Sequence, residues 1–109
     1  MNGKPPRPSQ CELCGRAVAD LTQHHLIPKR LHRRKRFRKD FSREELERRV
    51  CWVCRPCHNM IHHVRSEQQL GLYHNTPESL LAIPELAEFT RWLSSKPPGF
   101  VPKKRHRRR

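Results

Sequence analysis

At 109 residues, with 34% hydrophobic and 6% aromatic residues, the chain holds one small domain whose apolar core is thin, so a metal staple is expected. Lys and Arg number 24 against 10 Asp and Glu, a net charge of +14 that points first to nucleic acid as partner. No apolar run approaches the ~20 residues of a membrane span, which excludes an integral membrane helix.

Residues 1–10, MNGKPPRPSQ, are Pro-rich and polar and read as a disordered lead-in. They contain no apolar stretch of the secretory kind, so an intracellular protein is expected. Cys11 and Cys14, followed by Gly15, form a C-x-x-C knuckle, and Cys54 and Cys57 form a second. In an intracellular chain such pairs read as metal ligands rather than disulfides. Together they supply the four thiolates that a structural zinc prefers. The 39 residues between the pairs are long for a plain zinc ribbon, so something is inserted there. Cys51 is left over and reads as a small buried apolar residue before Trp52.

Residues 17–27 alternate weakly and stop at Pro28, as a strand or hairpin arm does. Within them lies the adjacent pair His24 and His25. Residues 29–39, KRLHRRKRFRK, hold eight basic residues and no acid. Lys29, Arg30, Arg33, Arg34, Lys35, Arg36, Arg38 and Lys39 are therefore the candidate nucleic-acid contacts, expected between hairpin and helix. Ser42-Arg43-Glu44-Glu45 matches a capping box and predicts a short helix over 43–49. After the second knuckle, residues 58–69 are expected to form one helix with Met60, Ile61 and Val64 on its apolar face. On that helix His58 and His62 stand at i and i+4, one turn apart and able to share an ion.

A third imidazole from His24 completes a site with open positions, as a catalytic metal requires. His25 then stands near the ion without ligating it, where a neutral imidazole can take a proton from water. Arg55 and Arg65 are further candidates for holding phosphate. His63 points elsewhere at i+5, and His32, His74 and His106 receive no role. Thr76 as N-cap with Pro77 predicts a short helix, and Pro84 begins another through residue 95, with Leu86, Phe89 and Leu93 on one face beside Trp92. Residues 103–109, KKRHRRR, are a second basic run; the two runs carry 14 positive charges, equal to the whole net charge.

The order C-x-x-C, then HHLIPK, then CRPCHNMIH resembles the HNH endonucleases, the ββα-metal or His-Me finger nuclease fold, over residues 11–63. Residues up to 97 also resemble the helical extension of a bacterial HNH subgroup. The resemblance implies a small α+β zinc-bound domain: a lead-in over 1–10, a zinc-braced ββα core over 11–69, helices over 70–97 and a basic tail over 98–109. It implies that His24, His58 and His62 bind a divalent metal, with His25 as general base and the four cysteines holding a structural zinc. Imidazole ligands suit Zn2+, Ni2+, Mn2+ or Co2+ better than Mg2+. The expected substrate is DNA, with RNA as the other candidate, in a bacterial cytoplasm, with no membrane and no small-molecule substrate. Two other readings compete: a non-catalytic zinc module that binds nucleic acid, and an inactive HNH scaffold that docks a protein through Leu86, Phe89, Trp92 and Leu93. One departure stands out. Arg49 occupies the position of the family's middle Asn, which orients the base histidine, and Asn59 lies after the closing His instead.

Overall fold

A two-stranded antiparallel sheet pairs β1 (Thr22–His25) with β2 (Val50–Val53), in the register Thr22 to Val53 and His25 to Val50. The computed structural model describes residues 5–103. The first residues of the expected lead-in and residues 104–109 of the expected basic tail, with His106, lie outside that range. Helix α3 (Arg55–Val64) follows β2 directly, with Pro56 in its first turn, where a missing N–H costs nothing. The segment expected as strand over 17–27 is extended and paired only at its four central residues. Its partner β2, VCWV, is short, and both of its faces are largely buried, so residue spacing alone does not place it.

The basic run lies between the two strands, not between hairpin and helix as expected. It is structured as a 3-10 turn (Lys29–Leu31) and a helix α1 (Lys35–Asp40). Apolar residues spaced among the charges explain this. Leu31 and Phe37 turn inward with Ile27 and Leu46 to make a small second core, while the lysines and arginines around them face outward. Helix α2 (Arg43–Arg48) starts as predicted, with reciprocal bonds between Ser42 and Glu45, and Arg49 is its C-cap.

The helix expected over 58–69 is two. Arg65 is extended (φ −144°, ψ 150°), and α4 (Glu67–Tyr73) restarts on a second capping box, Ser66 with Gln69. The boundary expected at residue 70 therefore falls inside a helix, and Leu70 packs in the same cluster as Ile61. Gly71 is where α4 meets the inserted segment. A Cβ there would stand 2.8 Å from the Leu31 side chain and 3.2 Å from Phe37, so any larger residue would push those side chains aside. Helices α5 (Pro77–Leu81) and α6 (Pro84–Ser94) begin at the predicted prolines, and Thr76 caps α5. Leu80, Ile83, Leu86 and Leu93 are fully buried with Val53, Ile61 and the four paired cysteines, in one core braced by α3 against α6. Phe89 is half-buried at its edge and Trp92 is exposed.

Candidate metal centres

The first knuckle is a tight turn. The backbone N–H groups of Leu13 and Cys14 each donate to Cys11 Sγ at 3.4 Å, and Gly15, at φ +82°, donates to the Cys11 carbonyl. A left-handed residue closes such a turn at least cost when it is glycine. The second knuckle spans the end of β2 and the first turn of α3, with Cys54 as the helix N-cap residue. All four sulfurs are buried, none is in a disulfide, and they lie within 4.8 Å of one another. Cys14 Sγ and Cys54 Sγ are 3.8 Å apart. That is about the edge of a tetrahedron with Zn–S bonds of ~2.3 Å.

The charge state of the sulfurs also calls for a cation. Hydrogen bonds from the Cys54 and Cys57 thiols hold Cys11 far below the usual thiol range. The bond to Cys11 pushes Cys54 up to about 11 and Cys57 further still. A divalent ion among the sulfurs would favour the thiolate form throughout the cluster. The four cysteines fit a structural zinc. Cys51, by contrast, is fully buried and pushed up to about 12 by burial, an inert apolar residue.

Arg16, unassigned from sequence, completes this centre. It is only 5% exposed, and its guanidinium reaches Cys54 Sγ at 3.7 Å. The same group donates to the carbonyls of Pro97 at 2.7 Å and Phe100 at 2.9 Å. Burial works against its charge, but the Cys54 and Cys14 sulfurs outweigh that and raise its pKa. The segment after α6, through Pro97 and Phe100, is thus tied to the thiolate cluster by one buried cation.

The second centre forms where β1 faces α3. The rings of His24, His58 and His62 stand 5.2–5.3 Å apart, centroid to centroid, in all three pairs. One nitrogen of each lies within 4.8 Å of the others, close enough for all three to reach one ion. His24 is 1% exposed, and its Nε2 is buried with no hydrogen-bond partner among the described residues. A buried polar atom without a partner is costly, and a metal ion satisfies it. Burial first, then the neighbouring histidines, lowers His24 to about 3; burial, His62 and Arg55 lower His58 to about 4. Both are neutral at physiological pH and offer lone pairs. The residues fit a divalent metal.

Thr22 was also missed. Its hydroxyl donates to the Val53 carbonyl at 2.9 Å and contacts His58 Nδ1 at 2.8 Å. A hydroxyl has one proton, so Nδ1 must be the donor in the second contact. His58 is thereby fixed as the Nδ1–H tautomer, with Nε2 left for the ion. The signal was present, since Thr22 and His24 share one face of a strand at i and i+2.

His25 is outside the three-ring cluster but close enough to act electrostatically on His24 and His58, and its ring lies 6.1 Å from that of His32. His32 in turn donates from Nε2 to the Ile27 carbonyl at 2.7 Å. His63 is exposed and outside the three-ring cluster. Arg55 is exposed at the start of α3, whereas Arg65 bonds the Val64 carbonyl and faces Glu85 at 3.8 Å. Arg49 acts at both ends. Its carbonyl accepts from the Leu26 N–H, just after His25. Its guanidinium donates to the Asn75 carbonyl at 2.9 Å and to Asn75 Oδ1 at 3.1 Å, and lies over the Phe41 ring.

Of the basic run, Lys29, Arg30, Arg33 and Arg38 line one cavity, and Lys35, Arg36, Arg38 and Lys39 line a neighbouring hollow, with Arg34 exposed at the start of α1. No helix among the described residues is long and apolar enough to cross a membrane.

These features define a small α+β domain with a four-cysteine site able to hold zinc. Over 88 residues, 81% of this chain and 76% of the other, it is 35% identical to the uncharacterized protein YisB of Bacillus subtilis (strain 168), and the chain belongs to the family of that protein. No family model and no solved structure matches it.

Proposed function

We propose that this chain is a metal-dependent endonuclease of the HNH type, hydrolysing phosphodiester bonds in DNA. The observation that carries the reading is the three-imidazole cluster of His24, His58 and His62, with His25 next in the chain and a cationic surface beside it. A structural site closes its coordination sphere with four protein ligands; three imidazoles leave positions for solvent and substrate.

In this reading His24, His58 and His62 would hold the divalent ion. The ion supplies positive charge and Lewis acidity toward a phosphate. His25 takes the proton from the attacking water. The Arg49 backbone carbonyl holds the strand end on which His25 sits, through the Leu26 N–H, and the Arg49 side chain anchors that backbone to Asn75. The cations of the inserted segment draw the phosphate backbone in. The cysteine cluster keeps α3 at a fixed distance from the sheet, so the spacing of His24 from His58 does not drift.

Supercoiled plasmid incubated with the protein and Mn2+, Ni2+, Co2+, Zn2+ or Mg2+ in turn tests the reading. Nicking with at least one metal, lost in His25→Ala, is the expected result. Retained DNA binding with no cleavage under any metal would replace it with a non-catalytic binding module.

A further inference from the structure

Between the 3-10 turn, α1 and α2 lies a cavity of about 690 Å³, of which the mechanism above uses only the cationic rim. Its volume falls in the range of small-molecule sites, roughly 300–1,000 Å³, far more than one phosphate needs. Arg30, Arg33, Arg38 and Arg43 line it against a single carboxylate, Glu47. Arg30 is paired with Glu67 at 3.1 Å, whereas Arg33, Arg38 and Arg43 have no ion-pair partner among the described residues. The wall is not only charged. The partly buried Phe41 contributes apolar surface, its ring packed on the second core and braced by the Arg49 guanidinium at 5.0 Å from its centroid. His32 also lines the cavity, and its ring is 6.1 Å from that of His25.

We propose that this cavity receives an unpaired nucleotide of the substrate strand, its phosphate on the arginines and its base against Phe41. The proposal rests on the nucleic-acid reading above and narrows it to substrates with single-stranded character beside the cleaved bond. A duplex presents its phosphates on a convex surface and keeps its bases stacked inside, so it can use the arginines but not the apolar wall. An aromatic face within a cationic hollow is the combination that holds single strands, because every base has a flat face to stack. The place of His32 between cavity and His25 puts the held nucleotide beside the phosphate that His25 would serve. An unpaired strand fills the cavity directly, whereas a duplex must first unstack and unpair a base.

The test is fluorescence anisotropy with no added divalent metal, so that no turnover occurs. Three probes of ten nucleotides are used: a (dT)10 strand, a ten-residue abasic strand with the same phosphates, and a blunt ten-base-pair duplex. The parent protein should bind (dT)10 about ten-fold more tightly than the abasic strand, in line with the usual worth of one stacked base. Phe41→Leu keeps apolar volume and removes the ring; it should lose that advantage while duplex affinity stays within two-fold. Arg43→Gln should weaken all three probes and flatten their salt dependence. Equal affinity of the parent for (dT)10 and the abasic strand overturns the proposal, and this arm needs no variant. So does a Phe41→Leu protein that is folded by circular dichroism and still prefers (dT)10. Failure to bind any probe would sink the nucleic-acid reading itself, which the plasmid assay reports separately. Repeating the first arm with a uridine strand shows whether the cavity distinguishes RNA from DNA.

Discussion

Thr22 sets the tautomer of His58. Its hydroxyl is committed to the Val53 carbonyl at 2.9 Å, so the 2.8 Å contact with His58 Nδ1 runs from ring to hydroxyl. Thr22 and Val53 are cross-strand partners, so sheet pairing itself builds the acceptor that α3 needs. Replacing Thr22 by Val keeps the β-branched shape and deletes the acceptor. Affinity for Mn2+ at the histidine cluster should fall about 10- to 100-fold, the usual effect of removing a group that orients a metal-bound histidine. Thr22→Ser should recover most of it. Calorimetric titration of both variants decides; equal affinity of Thr22→Val and parent would mean His58 needs no such orientation.

Zinc should be held at one equivalent per chain by Cys11, Cys14, Cys54 and Cys57, and Cys54→Ser should unfold or aggregate the domain. Site and core share residues here, since the same cysteines pack against Ile61 and Leu86, and metal binding becomes folding free energy. Arg16→Met is the finer probe. It removes the cation between the sulfurs and the carbonyls of Pro97 and Phe100, so the C-terminal segment should become protease-sensitive while zinc stays bound. Metal analysis alongside limited proteolysis reads both.

Arg49→Ala should cost about 1–2 kcal/mol of stability, because the Asn75 acceptors lose their charged donor. The carbonyl on the Leu26 N–H survives this change but loses the Asn75 anchor of its own side chain, so kcat should fall more than KM rises. Arg49→Lys should not restore turnover, since an ammonium cannot both reach the Asn75 oxygens and lie flat over the Phe41 ring as the guanidinium does. A full recovery by Lys would reduce Arg49 to a simple charge.

Affinity for duplex DNA should fall steeply with salt through counterion release, and reversing Arg33 and Arg38 to Glu should flatten that dependence. Deleting residues 103–109 should weaken binding further. Filter binding from low to high salt gives both slopes; an unchanged slope after either change makes that segment a bystander.

The parts of this molecule that sequence reveals are those set by local chemistry. Two thiolates on one turn, a Ser with a Glu three residues on, and prolines at the first turn of a helix each act within a few residues. Hence the knuckles, α2, α5 and the i, i+4 histidine pair were legible. The break at Arg65 was missed because the apolar spacing of residues 58–69 hid the second capping box, Ser66 with Gln69. Helix α1 was masked by its charge; Phe37 is the one residue that anchors it. Strand β2 was invisible because four residues buried on both faces have no alternation to read. The Thr22 relay, the Arg16 tie and the Arg49 bridge each join residues 26 to 84 positions apart, and only tertiary structure brings those together.

His24 and His25 are neighbours in sequence, yet only His24 belongs to the three-ring cluster, and their variants should fail differently. His24 is buried in the three-ring cluster and held neutral, its pKa lowered to about 3 chiefly by burial. His24→Ala should therefore lose affinity for the second metal together with activity. His25 lies outside the cluster, beside His32 and the cationic cavity. His25→Ala leaves His24, His58 and His62 in place, so metal and DNA should bind as in the parent while turnover falls by about two orders of magnitude. Hydroxide needs no base, so activity of the His25 variant should rise with pH well beyond the point where the parent levels off. Calorimetry with Mn2+ and a nicking assay across pH, on both variants, separate the two roles. A His25→Ala protein that nicks like the parent at neutral pH would remove His25 as the base, and a His24→Ala protein that still binds the second metal tightly would move the ion away from the strand.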